Sequence, residues 1–168
     1  AESESYFEVT NLDGESLGNT INLTELGALD WLYFARGWDA NRVDRKANVP
    51  AEEAISFTRD EGNLQHVNRY KHVSWTDGKE IAEFSDAYTA SYFNDAVGKG
   101  YTFTIPAEEA RRNLLIIWGA QYGSAELTIS MGDQVQTLVA EAPANVEYPG
   151  EMYTSVDFSA SSPEDQLH

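Results

Sequence analysis

The apolar residues of this chain recur with a period of two. Tyr101, Phe103 and Ile105 alternate with Thr102 and Thr104. Leu127, Ile129 and Met131 alternate with Glu126, Thr128 and Ser130. Met152, Thr154, Val156 and Phe158 alternate with Tyr153, Ser155 and Asp157. Successive side chains of a strand point to opposite faces, so these segments read as strands with one buried and one wet face. Leu114-Leu115-Ile116-Ile117-Trp118 is apolar on both faces and reads as a central strand. Shorter candidates lie at 6–9, 20–23, 31–34, 55–57, 71–75, 81–84 and 91–93. Asp13-Gly14, Asp77-Gly78, Gly98-Lys99-Gly100 and Gly132-Asp133 punctuate them as turns. Met131-Gly132-Asp133-Gln134 is expected to close a hairpin between 126–131 and 134–140. No stretch carries a convincing long helical period. The expectation is an all-β fold, a β-sandwich or jelly roll of about ten short strands.

Pro-Ala-Glu-Glu-Ala occurs at 50–54 and again at 106–110. Proline at a first helical position followed by acidic residues favours one helical turn. The flanks differ, so these are two similar connections and not a repeat. With no linker or low-complexity tract, residues 1–168 are expected to form a single β-sandwich domain. Gln166-Leu167-His168 reads as a final strand beginning: it is very short, or the natural chain continues.

At 168 residues, 42% apolar and 23% charged, the chain can bury a core and should fold. Its net charge of −17 repels phosphate backbones and anionic lipid, which argues against nucleic acid and membrane surfaces as partners. No apolar run approaches the length of a membrane span, so no membrane insertion is expected. The absence of cysteine removes disulfides, thiol nucleophiles and thiolate metal sites. No signal peptide is visible. The first residues suit a processed end or a piece cut from a longer chain.

The motifs of nucleophile elbows, zinc proteases and phosphate loops are missing. His66 and His72 form no recognisable metal pair and read as surface or structural histidines. Asp30 and Glu83 are flanked by apolar residues but read as ordinary strand carboxylates. Any pair among 28 acidic residues could satisfy the spacing of a glycosidase by chance. No cofactor is required by the sequence. Asp39 and Asp44, with Asn41 between them, offer the clustered oxygens a structural calcium ion would use.

Loop aromatics are more informative, because a core does not explain them. Trp38 stands among Arg36, Gly37, Asp39, Asn41 and Arg42, and Tyr122 and Tyr148 stand in similar company. Sugar rings stack their C–H faces on such side chains while neighbouring polar groups hold hydroxyls. The basic pair Arg45-Lys46 adds a cation that could bind hydroxyls or a carboxylate, with a salt bridge to the acidic excess as the plainer alternative. Trp31, Trp75 and Trp118 fit strand patterns and are assigned to packing.

Leu29-Asp30-Trp31, Arg45-Lys46, Ser74-Trp75-Thr76-Asp77-Gly78, Gly100–Ala107, Arg112–Gly119 and Ala125-Glu126-Leu127-Thr128 follow one another in that order. Together they resemble a β-sandwich module of secreted, multidomain bacterial proteins, of the galactose-binding-like or carbohydrate-binding-module type. The resemblance implies the fold, and a glycan or polysaccharide as the partner. It marks Leu-Asp-Trp, Arg-Lys and Trp-Thr-Asp-Gly either as structural signatures or as a shared site. The stretch 51–71 is longer than the resemblance predicts.

The expected function is therefore a non-catalytic carbohydrate-binding-type module outside the cytoplasm, secreted or at the cell surface, with the periplasm as another compartment. It would sit beside other domains of a larger chain. Sugar would stack on Trp38, with Tyr122 and Tyr148 as further aromatics, and Arg36, Asp39, Asn41 and Lys46 would contact hydroxyls. Two rivals are a structural, adhesion or sensor domain that binds protein, and a polysaccharide-active hydrolase or lyase.

Overall fold

The computed structural model describes residues 4–94, 97–120, 123–141, 150–162 and 164–168. Its strands are β1 (Tyr6–Leu12), β2 (Thr20–Asn22), β3 (Leu32–Phe34), β4 (Val43–Arg45), β5 (Ser56–Arg59) and β6 (Leu64–Trp75), followed by β7 (Phe84–Phe93), β8 (Tyr101–Thr104), β9 (Arg112–Ala120), β10 (Ser124–Met131), β11 (Gln134–Glu141) and β12 (Gly150–Ser159). The protein is all-β. Its helical content among the described residues is short turns, and these do not fall on the two Pro-Ala-Glu-Glu-Ala segments. Residues 50–53 close a simple turn through the Glu53 N–H and the Pro50 carbonyl, at 3.0 Å. The helical turns are Gly14–Leu17, α1 (Leu23–Leu26) and Arg36–Trp38. Asn22 caps α1 by accepting from the Thr24 N–H at 3.0 Å, satisfying a donor the helix start leaves free.

The chain divides into two compact units, one of residues 1–16 with 104–168, the other of residues 17–103. In the first, β1, β12 and β9 form an antiparallel sheet in that order. Val9 faces Val156, and Val156 faces Leu114, so one apolar row crosses all three strands. The expected hairpin forms, with Met131 opposite Gln134 and Gly132 at φ +56°, a value that suits glycine. Its inward row of Leu127, Ile129 and Met131 packs with Val156, Phe158 and Leu167 as the core of this unit. Leu167 reaches it because the last residues pair with Ile105 and with Ser130. The apolar run 114–118 lies on β9, and the centre of the sheet is β12. Both faces of that run are half-buried, which accounts for its composition without placing it centrally.

In the second unit, β2 pairs parallel with β6 and β6 antiparallel with β7. β3 and β4 form a hairpin, and β5 pairs with β8. Aromatic side chains fill the space between them. Trp75 packs within 5.0 to 5.5 Å of Trp31, Tyr33 and Phe84. Phe34 meets Phe57, Tyr101 and Phe103 edge-on. Burial pushes the Tyr33 phenol up, against the lowering effect of Arg69, and its hydroxyl donates to the Thr89 carbonyl at 2.5 Å. The ladder between β6 and β7 slips twice: Asn68 faces Thr89, the next pair is Val73 with Ala87, and the one after is Trp75 with Phe84. Extra residues on one strand of a pair bend it and re-aim its side chains. Here the bulges fall beside an exposed row of rings.

Candidate functional site

Within residues 17–103, the residues that the sequence singles out separate into an internal framework and an exposed strip. The framework is built on Asp77, in the loop after β6. One carboxylate oxygen accepts from the Thr24 hydroxyl at 2.8 Å and the Trp31 indole N–H at 2.9 Å, and the other from the Lys46 ammonium. Burial pushes the Asp77 carboxyl up, but hydrogen bonds from Lys46, Trp31 and Thr24 and the charge of Lys46 outweigh it. They hold it below the usual carboxylate range. Asp30 accepts from the Trp31 and Ile55 backbone N–H groups, both at 2.8 Å, with Arg45 3.7 Å away. Arg45 donates to the Ile55 carbonyl at 2.8 Å. The Trp75 indole donates to the Ile81 carbonyl at 3.0 Å. Gly78 lies so close to the Trp75 ring that an added Cβ would fall 2.5 Å from its nitrogen. Leu-Asp-Trp, Arg-Lys and Trp-Thr-Asp-Gly thus converge on one another, and Lys46 is turned onto Asp77 instead of outward.

Arg36 is likewise turned inward. Its Nε donates to Asp44 at 2.9 Å, and its guanidinium lies 5.0 Å over the Phe84 ring. Asp44 is 1% exposed, and its second oxygen has no hydrogen-bond partner among the described residues. Asp39 is at the surface, where it accepts from the Asn41 backbone N–H at 3.1 Å and faces Arg42 at 3.9 Å. Asn41 and Glu83 are exposed. Among the described residues, no three histidine, aspartate or glutamate side chains gather where a metal ion could be held. Tyr122 and Tyr148 lie outside the described residues.

The exposed strip begins at Trp38. Ala35, Gly37 and Trp38 have φ values of +66°, +68° and +67°, all left-handed. Ala35 and Trp38 carry a Cβ, for which that conformation costs about 1 kcal/mol or more each. The turn is held by the Ala35 N–H to the Arg42 carbonyl at 2.8 Å and the Arg42 N–H to the Asp39 carbonyl at 3.0 Å. It presents a tryptophan that is 48% exposed. The Trp38 ring meets His66 of β6 at 5.1 Å and 85°, and Tyr88 of β7 at 5.6 Å and 82°. Tyr88 continues to His72 at 5.6 Å and 30°, and His72 Nδ1 lies 3.3 Å from Asp86. Asp86 also has a left-handed backbone, φ +58°, at the second slip of the ladder.

His66, Trp38, Tyr88 and His72 are therefore one contiguous row of rings at the surface, edged by Asp39 and Asp86. Sequence reasoning finds Trp38 and misses the rest. The signal that could have joined them is the pairing of β6 with β7, which brings His72 beside Tyr88 only once the bulge between Asn68 and Val73 is allowed for, while His66 joins them through Trp38. Comparison with protein-family models, with curated proteins and with solved structures finds no match for this chain.

Proposed function

We propose that this chain is a non-catalytic carbohydrate-binding-type module of a larger secreted or cell-surface protein. The observation that carries the reading is Trp38, half-exposed on a left-handed backbone and buttressed by His66 and Tyr88. Burial does not explain a bulky ring at the surface, and backbone strain of this kind clusters where ligands are held. A half-exposed indole can stack on the C–H face of a sugar. Asp39 and Asn41, exposed beside it, supply hydroxyl partners. Arg36 and Lys46 are engaged with Asp44 and Asp77 and are not counted among the sugar contacts. A site of this size binds weakly alone, so repetition in the parent chain would raise avidity.

A glycan array with the purified chain, run with and without calcium, tests the proposal. The expected result is binding to a defined glycan class, weakened at least tenfold by Trp38→Ala. Equal binding by that variant would remove the site. A calcium requirement would direct attention to the loop of Asp39 and Asp44.

A second reading, a structural, adhesion or sensor domain, draws on the hairpin of β10 and β11. Val135 and Val139 project from it, 65% and 56% exposed. A folded chain that binds no glycan would favour this reading.

A further inference from the structure

We infer that the strip accepts a single, soluble glycan chain free of anionic groups; this deepens the carbohydrate reading and rests on it. The rings carry the first half of the argument. Trp38 stands at 85° to His66 and 82° to Tyr88. Rings so crossed share no plane, so they cannot lie flat against the packed face of a crystalline polysaccharide. Neighbouring ring centres are 5.1 to 5.6 Å apart, so the rings touch and form one continuous surface. Rings crossed at Trp38 in this way suit one flexible chain that turns as it passes.

The charges carry the second half. The Asp86 side chain is 79% exposed at one end of the strip, and Asp39 is half-exposed near the other. Arg42, whose backbone closes the Trp38 turn, is already directed to the Arg36 carbonyl at 3.3 Å and to Asp39. His72 already faces Asp86. Arg36 and Lys46 are engaged with Asp44 and Asp77. Uronate and sulfate groups are bound through free, forked or clustered cations. Here they would instead approach two exposed carboxylates on a chain of net charge −17.

The test compares soluble neutral glycans (glucan, mannan, xylan and galactan oligosaccharides) with polygalacturonate, dextran sulfate and crystalline cellulose and chitin. Titration calorimetry serves the soluble ligands and co-sedimentation the insoluble ones. Wild type, Trp38→Ala, Tyr88→Ala and the double variant Asp39→Asn/Asp86→Asn are used, each checked for native circular dichroism. The expected result is binding of at least one soluble neutral glycan, weakened tenfold or more by either aromatic variant, with anionic polymers at least tenfold weaker than the neutral ligand. The double asparagine variant should narrow that gap. Trp38-dependent binding of an anionic polymer as tight as any neutral one, or binding confined to the crystalline solids, would overturn the inference and leave the carbohydrate reading standing. No Trp38-dependent or Tyr88-dependent binding to any glycan would overturn both.

Discussion

Replacing Asp77 with alanine should destabilise residues 17–103 by about 3 kcal/mol at pH 7. The carboxylate accepts three hydrogen bonds, from Thr24 at 2.8 Å, Trp31 at 2.9 Å and the Lys46 ammonium. A hydrogen bond to a charged group contributes about 1.5–3 kcal/mol when well buried. The side chains of Asp77 and Lys46 are 27% and 16% exposed, so water partly replaces the lost acceptor and the lower end applies. The two neutral donors add somewhat less apiece. Urea unfolding followed by tryptophan fluorescence reads the effect, since Trp31 and Trp75 report on this unit. The pH dependence gives a second check. The folded Asp77 carboxyl is held below its usual range. Its contribution is therefore fully present above pH about 4 and is lost as pH falls through the depressed folded value. The gap between wild type and Asp77→Ala should be widest at neutral pH and close in acid. A loss under about 0.5 kcal/mol at pH 7, or a gap that persists undiminished to pH 2, would refute the assignment of Asp77 as the anchor of the framework.

Three further outcomes follow from the packing. Gly78→Ala should cost about 1–3 kcal/mol or more, because the new methyl meets the Ile81 carbonyl and the Trp75 indole; a Tm equal to wild type would contradict that contact. Phe158→Ala should cost about 3–5 kcal/mol, since the ring is 2% exposed within the core of the other unit; thermal unfolding by near-UV circular dichroism reads it. Trp38→Gly should be more stable than Trp38→Ala by roughly 0.5–1 kcal/mol, because glycine relieves the left-handed cost at φ +67° and returns only part of it as chain entropy. The reverse order in denaturant midpoints would show that the turn is not strained at that residue.

The hairpin of β10 and β11 was legible because the apolar residues of β10 alternate strictly and Gly132-Asp133 marks the turn. Trp31 and Trp75 were legible as packing residues for the same reason, and both are buried. β6 and β7 were read only in part. Residues 64–72 place Gln65, His66, Asn68, Arg69, Lys71 and His72 along one strand, so no apolar period shows; what orders them is pairing with β7. The strip depends on that pairing and its slips, which are long-range features no local pattern encodes. Lys46 and Arg36 illustrate a different limit. A cation near a loop tryptophan looks available in sequence, and only the positions of Asp77 and Asp44 in space show that each is engaged. The helical turns were misplaced because proline with acidic residues is a weak local preference. A side-chain cap from Asn22 accompanies the one at 23–26.

The pairing of Tyr6–Leu12 with Tyr153–Ser159 has a consequence for the order in which the chain can be made. A ribosome emits β1 long before its partner β12. At roughly 5–20 residues per second, β1 waits on the order of ten seconds for β12. All of residues 17–103 emerge in that interval and can fold first, interrupting a unit whose two pieces are still apart. Over that wait β1 is a nascent strand with open edges, bearing Tyr6, Phe7 and Val9. Glu4 and Glu8 place negative charge at and beside it, the kind of gatekeeping that keeps an unpaired strand from joining the wrong neighbour.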